Sequence, residues 1–289
     1  MEIQKIILTK PVTIYGNNIW GNPAVITFSP ISSGWFFRDE QTGEDMPINK
    51  HTVGWDIDNV FIKNKKSEIR MFKHILLMRW LGLDGVAISG TMWPPYYSAM
   101  EYFSYLRDSG YLFATKENIK SFAIEKIYSS DDFYEKSKGA YFGPVGTVLV
   151  PFKETIFKED YSFKNIAIDV YINYPGIGKL YKFYGDLISV LYSVIEIYPY
   201  KRKDILDRYN ILYQELVSND LSDDVKIGWI NHYKNETLLN LSKNRVSCIM
   251  STMAMIKHDA LPLNFRFSSY CGRHFHDLRM TKGFSNSYA

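Results

Sequence analysis

The chain has 289 residues, 46% of them apolar and 22% charged. That balance belongs to a folded globular protein and excludes a disordered, collagen-like or low-complexity chain. Against 31 acidic side chains stand 34 basic ones, and a net charge of +3 is too slight a surplus for a dedicated nucleic-acid binder.

The first sixty residues read as β-structure. Ile6–Leu8, Val12 with Ile14, Ala24–Phe28 and Trp35–Phe37 are short β-rich runs. Pro11, Gly16-Asn17-Asn18 and Gly21-Asn22-Pro23 punctuate them. The period then changes. Ile69, Phe72, Leu76 and Trp80 fall at helical spacing, which predicts a buried helix over 67–81, capped by Ser67 and closed by Gly82. A short strand is expected over 85–89. Ser98 with Glu101 three residues on is a capping box, so a second helix should run from there to Gly110.

The second half repeats this plan. Strands are expected within 121–173, including 147–150 and 166–172. Leu180, Tyr184, Leu187 and Leu191 suggest a helix over 178–194, in which Lys182 and Asp186 would be an i,i+4 ion pair. A strand at 194–198 and a helix over 204–217 follow, the latter with Asp204 and Arg208 paired. Residues 238–256 look partly helical. The last stretch, from Arg273, is polar and basic and reads as a loop or loose tail.

Cys248 and Cys271 are too few and too far apart for a disulfide framework or a zinc ribbon, so a reducing, cytoplasmic setting is the simplest expectation. The opening residues lack a signal-peptide pattern, and no apolar run is long enough for a transmembrane segment. One local metal-ligand pattern stands out. His274, His276 and Asp277 form an HxHD cluster whose two imidazoles would face one way on a strand. The aromatic, basic residues around it fit a solvated tail or a protein-docking segment better than a single-strand-binding surface.

Several motifs resemble a known family. KPVTIYGNNIWGNPAVITFSP, MFKHILLMRWLGLDGVAI and the segment with Pro94, Ser98, Ala99, Phe103 and Gly110 occur in order over residues 3–110. They resemble the PVTxxGxGLHxGxxV, TVEHLLAALxGLGIDNAxI and IPIMDGSAxPF motifs of the UDP-3-O-acyl-N-acetylglucosamine deacetylases, zinc enzymes of lipid A synthesis. IAIDVYINYPGIG and KLYKFYGDLISVL resemble, more weakly, that family's LDFTIDFNHPAIG and HKxLDxIGDLxLLG.

The resemblance implies an α+β fold of two similar domains, each a β-sheet packed on two α-helices. Residues 1–117 would form the first and 118–218 a shortened second, with 219–289 a C-terminal extension. It also implies a nucleotide-sugar or acyl-chain ligand, with Gly16, Trp20 and Lys182 on the substrate side. The family's zinc is held by two His and one Asp, with a Glu as general base and a distal His. Carried over position by position, the first ligand is His74, the base becomes Lys73, the HxxxD pair becomes Gly178 and Lys182, and the distal His becomes Asp204. Glycine offers no ligand atom, and a lysine ammonium has no lone pair. The expectation is a non-catalytic homologue that serves as a ligand-binding scaffold or docks a protein through residues 219–289. The alternative is an active zinc deacetylase in which His74 is joined by His274, His276 or Asp277.

Overall fold

The computed structural model describes residues 3–49, 52–55, 60–63, 67–70, 73–124, 128–129, 146–151, 166–172, 179–185 and 246–270, with positions 190, 277 and 280. Its architecture is mixed α+β, dominated by sheets.

The first sheet holds β2 (Val12–Asn17), β3 (Pro23–Pro30), β4 (Trp35–Arg38), β5 (Asp45–Pro47) and β9 (Val86–Gly90). Each outer strand alternates as the sequence reads. Val12, Ile14, Ala24, Ile26, Phe28, Trp35 and Phe37 point inward, while Thr13 and Tyr15 face out. β9 is buried from Val86 to Ser89, as a central strand covered on both faces should be. The spatial order is β2-β3-β9-β4-β5. β9 lies antiparallel to β3 and parallel to β4, between two hairpins.

The second sheet repeats that order. Its strands are β12 (Tyr128–Ser129), β13 (Gly146–Pro151), β14 (Ile166–Ile172), β15 (Lys179–Gly185) and β17 (Phe265–Tyr270). They run β12-β13-β17-β14-β15, with β17 antiparallel to β13 and parallel to β14. The two sheets therefore share order and strand sense, an internal repeat whose second half takes its central strand from beyond the 118–218 bounds expected for it.

Smaller sheets complete the chain. β1 (Gln4–Leu8) pairs with β10 (Leu112–Asn118), and β6, β7 and β8 (Val53–Trp55, Val60–Lys63, Glu68–Ile69) form a meander. β11 (Lys120–Ala123) runs parallel to β16 (Ala260–Leu263). One hydrophobic cluster reaches from Leu8 and Ile26 through Trp80 to Phe267 and Met280, so both repeats share a core.

Helices enter the core between the repeats. α1 (Lys73–Leu76) continues as a 3-10 turn over Leu77–Leu81, and α2 (Ala99–Asp108) follows β9. α3 spans residues 246–253, ahead of β16 and β17. The helix expected from Ser67 starts later because Glu68 and Ile69 pair with Lys63 and Ile62. Its C-terminus is as expected: Gly82 sits at φ 99°, and a Cβ there would meet the Gln4 carbonyl at 2.4 Å. α2 keeps the capping box in full.

Three expectations give way. Residues 179–185 are not helical. They form β15, paired residue for residue with β14. Leu180 and Tyr184 are four apart, a spacing that shares a face on a strand as well as on a helix. Residues 219–289 are not all an extension, because β17 is the middle strand of the second sheet. Nor is the end of the chain wholly a loose tail, since Asp277 and Met280 occupy helical positions and are fully buried. The expected strand at 194–198 and helix at 204–217 lie outside the described residues. Among the described residues, no helix is long and apolar enough to cross a membrane.

Candidate functional site

His74 is in the first turn of α1 and is 7% exposed. Its ring meets Tyr96 edge-on, with centroids 6.3 Å apart. Tyr96 belongs to the segment after β9, and its amide donates to the Asn17 carbonyl at 2.9 Å. The β2–β3 hairpin and the 91–97 segment thus close on each other beside α1. Lys73 shares the α1 backbone with His74.

Gly16 and Trp20 sit on that hairpin and do different things. A Cβ at Gly16 would fall 2.4 Å from the Tyr97 hydroxyl, so glycine lets Tyr97 lie flat on the strand. The Tyr97 hydroxyl donates to the Tyr15 carbonyl at 3.2 Å, and its ring packs on Tyr102 and Tyr105. Trp20 is 59% exposed and stands edge-on against Trp93 at 4.2 Å. Behind Trp93 the Arg70 guanidinium lies over the ring, 5.3 Å from its centroid. The hairpin tip is held by Asn18, whose Oδ1 accepts from the amides of Trp20 and Asn22 at 3.0 and 3.1 Å. Tyr15, Ile19, Trp20, Met92 and Tyr105, on the hairpin and the segments near it, are all exposed.

Of the other expected site residues, Lys182 and Asp277 fall on described positions. Lys182 is on β15, a strand rather than the expected helix, opposite Asp169 of β14, and Asp186 lies outside the described residues. Asp277 occupies a helical position rather than a strand. Asp204, His274 and His276 lie outside the described residues. Among the described residues, no group of three His, Cys, Asp or Glu side chains could hold a metal ion.

The residue that the sequence reading passed over is Arg79. It lies in ILLMRWLG, where a lone cation among apolar residues was the available signal. It is 1% exposed. Its guanidinium donates to the carbonyls of Ala254, Lys257 (2.8 Å) and Ala260 (3.4 Å), all in the chain after α3. Next to it, the Trp80 indole donates to the Met250 carbonyl at 2.8 Å. Burial lowers the Arg79 pKa to about 10, opposed by the charges of Asp84 and Asp259. In α3 the Ser251 hydroxyl donates to the Ser247 carbonyl at 2.8 Å and Thr252 to that of Cys248 at 2.9 Å. No family profile matches the chain, and no curated protein matches it.

Proposed function

We propose that this chain is a non-catalytic homologue of the UDP-3-O-acyl-N-acetylglucosamine deacetylases. It has kept the two-domain scaffold and lost the zinc chemistry, and it acts by binding a ligand or a protein. The observation that carries the reading is the repeated sheet order, in which each half closes on a central strand preceded by a helix. That repeat fits the duplicated fold which the motifs of residues 3–110 imply, each sheet packed on two helices.

The repeat also changes how the second half is laid on the family. α1 precedes β9, and α3 precedes β17. The counterpart of α1 is therefore α3 rather than residues 178–194. Set on Ser247–Ile256, the HKxLDxIGDL motif places Ser247 and Ser251 at the ligand positions. His274, after β17, then takes the place of the distal His, in preference to Asp204.

This donor set does not fit catalytic zinc. Structural and catalytic zinc is bound by thiolate, imidazole and carboxylate, and His74 is the single such group at the carried-over ligand positions. Ser251 is a neutral alcohol already donating to a carbonyl. Lys73 brings a positive charge to the general-base position. What the scaffold retains is a hairpin face, built on Gly16 and Trp20, suited to a nucleotide-sugar or acyl-chain ligand or to a protein surface.

Metal analysis of protein purified without chelator, beside His74→Ala, tests this reading. Both proteins should carry only background zinc and leave an acylated UDP-N-acetylglucosamine uncleaved. Near-stoichiometric zinc that disappears in His74→Ala would overturn the proposal. One observation favours a second reading, an active zinc deacetylase with a rearranged site. Asp277 of the HxHD cluster is fully buried. Under that reading zinc is present and is lost in His274→Ala or His276→Ala as well.

A further inference from the structure

We propose that Arg79 is a latch between the two repeats, and that releasing it frees the chain after α3 while the first sheet stays folded. The inference rests on the hydrogen bonds of one side chain and not on the deacetylase reading.

Arg79 belongs to the first repeat, in the 3-10 turn Leu77–Leu81. Of its three acceptors, Ala254 and Lys257 lie between α3 and β16, and Ala260 is the first residue of β16. Carbonyls beyond a helix end have no intrahelical partner and must find one elsewhere. Here a single planar fork from the other repeat serves three of them, which one ammonium could not do with the same geometry. The site is dry, with Arg79 and Ala254 both essentially inaccessible. An unmade bond there leaves a desolvated carbonyl.

The asymmetry of the contact gives the latch its direction. The first sheet is held by its own ladders, β2-β3-β9-β4-β5, none of which uses the Arg79 side chain. Removing the guanidinium therefore leaves unsatisfied carbonyls on the 254–260 side, whereas Asp84 of the first repeat loses a nearby charge but keeps Lys5 at 3.3 Å and the Gly34 amide at 3.0 Å. That segment has to open to recover water. The Trp80 indole, the Trp35 amide on the His258 carbonyl at 3.2 Å, the contact of His258 with Phe36 and the β11–β16 ladder remain as ties, so the opening is local.

Hydrogen exchange read by mass spectrometry on the full-length protein tests the latch. In Arg79→Met, amides of residues 246–263 should exchange about tenfold faster or more, while those of residues 24–28 and 86–90 keep their protection. Arg107→Met, at an exposed arginine with 66% of its side chain accessible, should change neither region. Uniform loss of protection across both regions, or no change in either, overturns the latch. If Arg79→Met does not fold, Arg79→Lys decides by the same pattern. It keeps the charge and loses the fork, so selective deprotection of 246–263 supports the latch and any other pattern overturns it.

Discussion

Tyr97 ties three pieces of the hairpin face together: the strand edge at Tyr15, the end of β2 at Gly16 and the α2 surface at Tyr105. Its pKa is raised to about 12, first by the hydrogen bond with Tyr105, then by desolvation and by the neighbouring phenol and Glu101. Burial also raises the Tyr102 phenol well above its ordinary value. The fold thus prefers the neutral phenol, and holds its proton where the unfolded chain has begun to lose it. The stabilisation is complete below pH 10 and is lost as pH rises through about 12. In Tyr97→Phe the stability lost between those pH values should be smaller, and the phenolate absorbance titration should lack a late component. An unchanged titration would place Tyr97 in ordinary solvent. Gly16→Ala tests the same contact sterically. It should lower the melting temperature by an amount worth about 1–3 kcal/mol, as overpacking does. A wild-type melting temperature would show that Tyr97 yields freely.

At the level of elements, legibility followed locality. The α2 capping box was readable because Ser98 and Glu101 are three residues apart and the bond they make needs nothing else. Ser98→Ala should cost about 1 kcal/mol of stability, seen in chemical denaturation. β9 was readable as a short apolar run between Gly85 and Gly90. β15 was misread because Leu180 and Tyr184 suit both periods, and only pairing with β14 decides between them. β17 was assigned no role because its neighbours, β13 and β14, lie about a hundred residues earlier, and no local pattern records such a partner. The site followed the same rule. Gly16, Trp20 and His74 are candidates from motifs within one repeat, and their proximity needs only that repeat. The importance of Arg79 depends on carbonyls 175 to 181 residues away.

For the molecule as a whole, the sheet order makes the segment beyond residue 218 indispensable. A protein ending at residue 218 lacks α3, β16 and β17, and with β17 goes the strand that joins the two hairpins of the second sheet. It should fail to give a soluble monomer by gel filtration or a cooperative melt by circular dichroism. A stable, cooperatively melting fragment 1–218 would return those residues to the status of an appendage. The shared hydrophobic cluster argues the same way, since Phe265 packs against Trp80 of the first repeat.

The two central strands also differ in when they become available. During synthesis the first sheet is complete once residue 90 has emerged, whereas the hairpins β12–β13 and β14–β15 must wait for residues 265–270. Through the making of some eighty residues after β15, the inner edges of β13 and β14 stand open, with their backbone groups turned toward a strand that does not yet exist. Long-range pairing of this kind is slow, and an open edge recruits other chains. The nascent chain is therefore most exposed to aggregation late in translation, and a chaperone that holds extended segments would act between the emergence of β15 and that of β17.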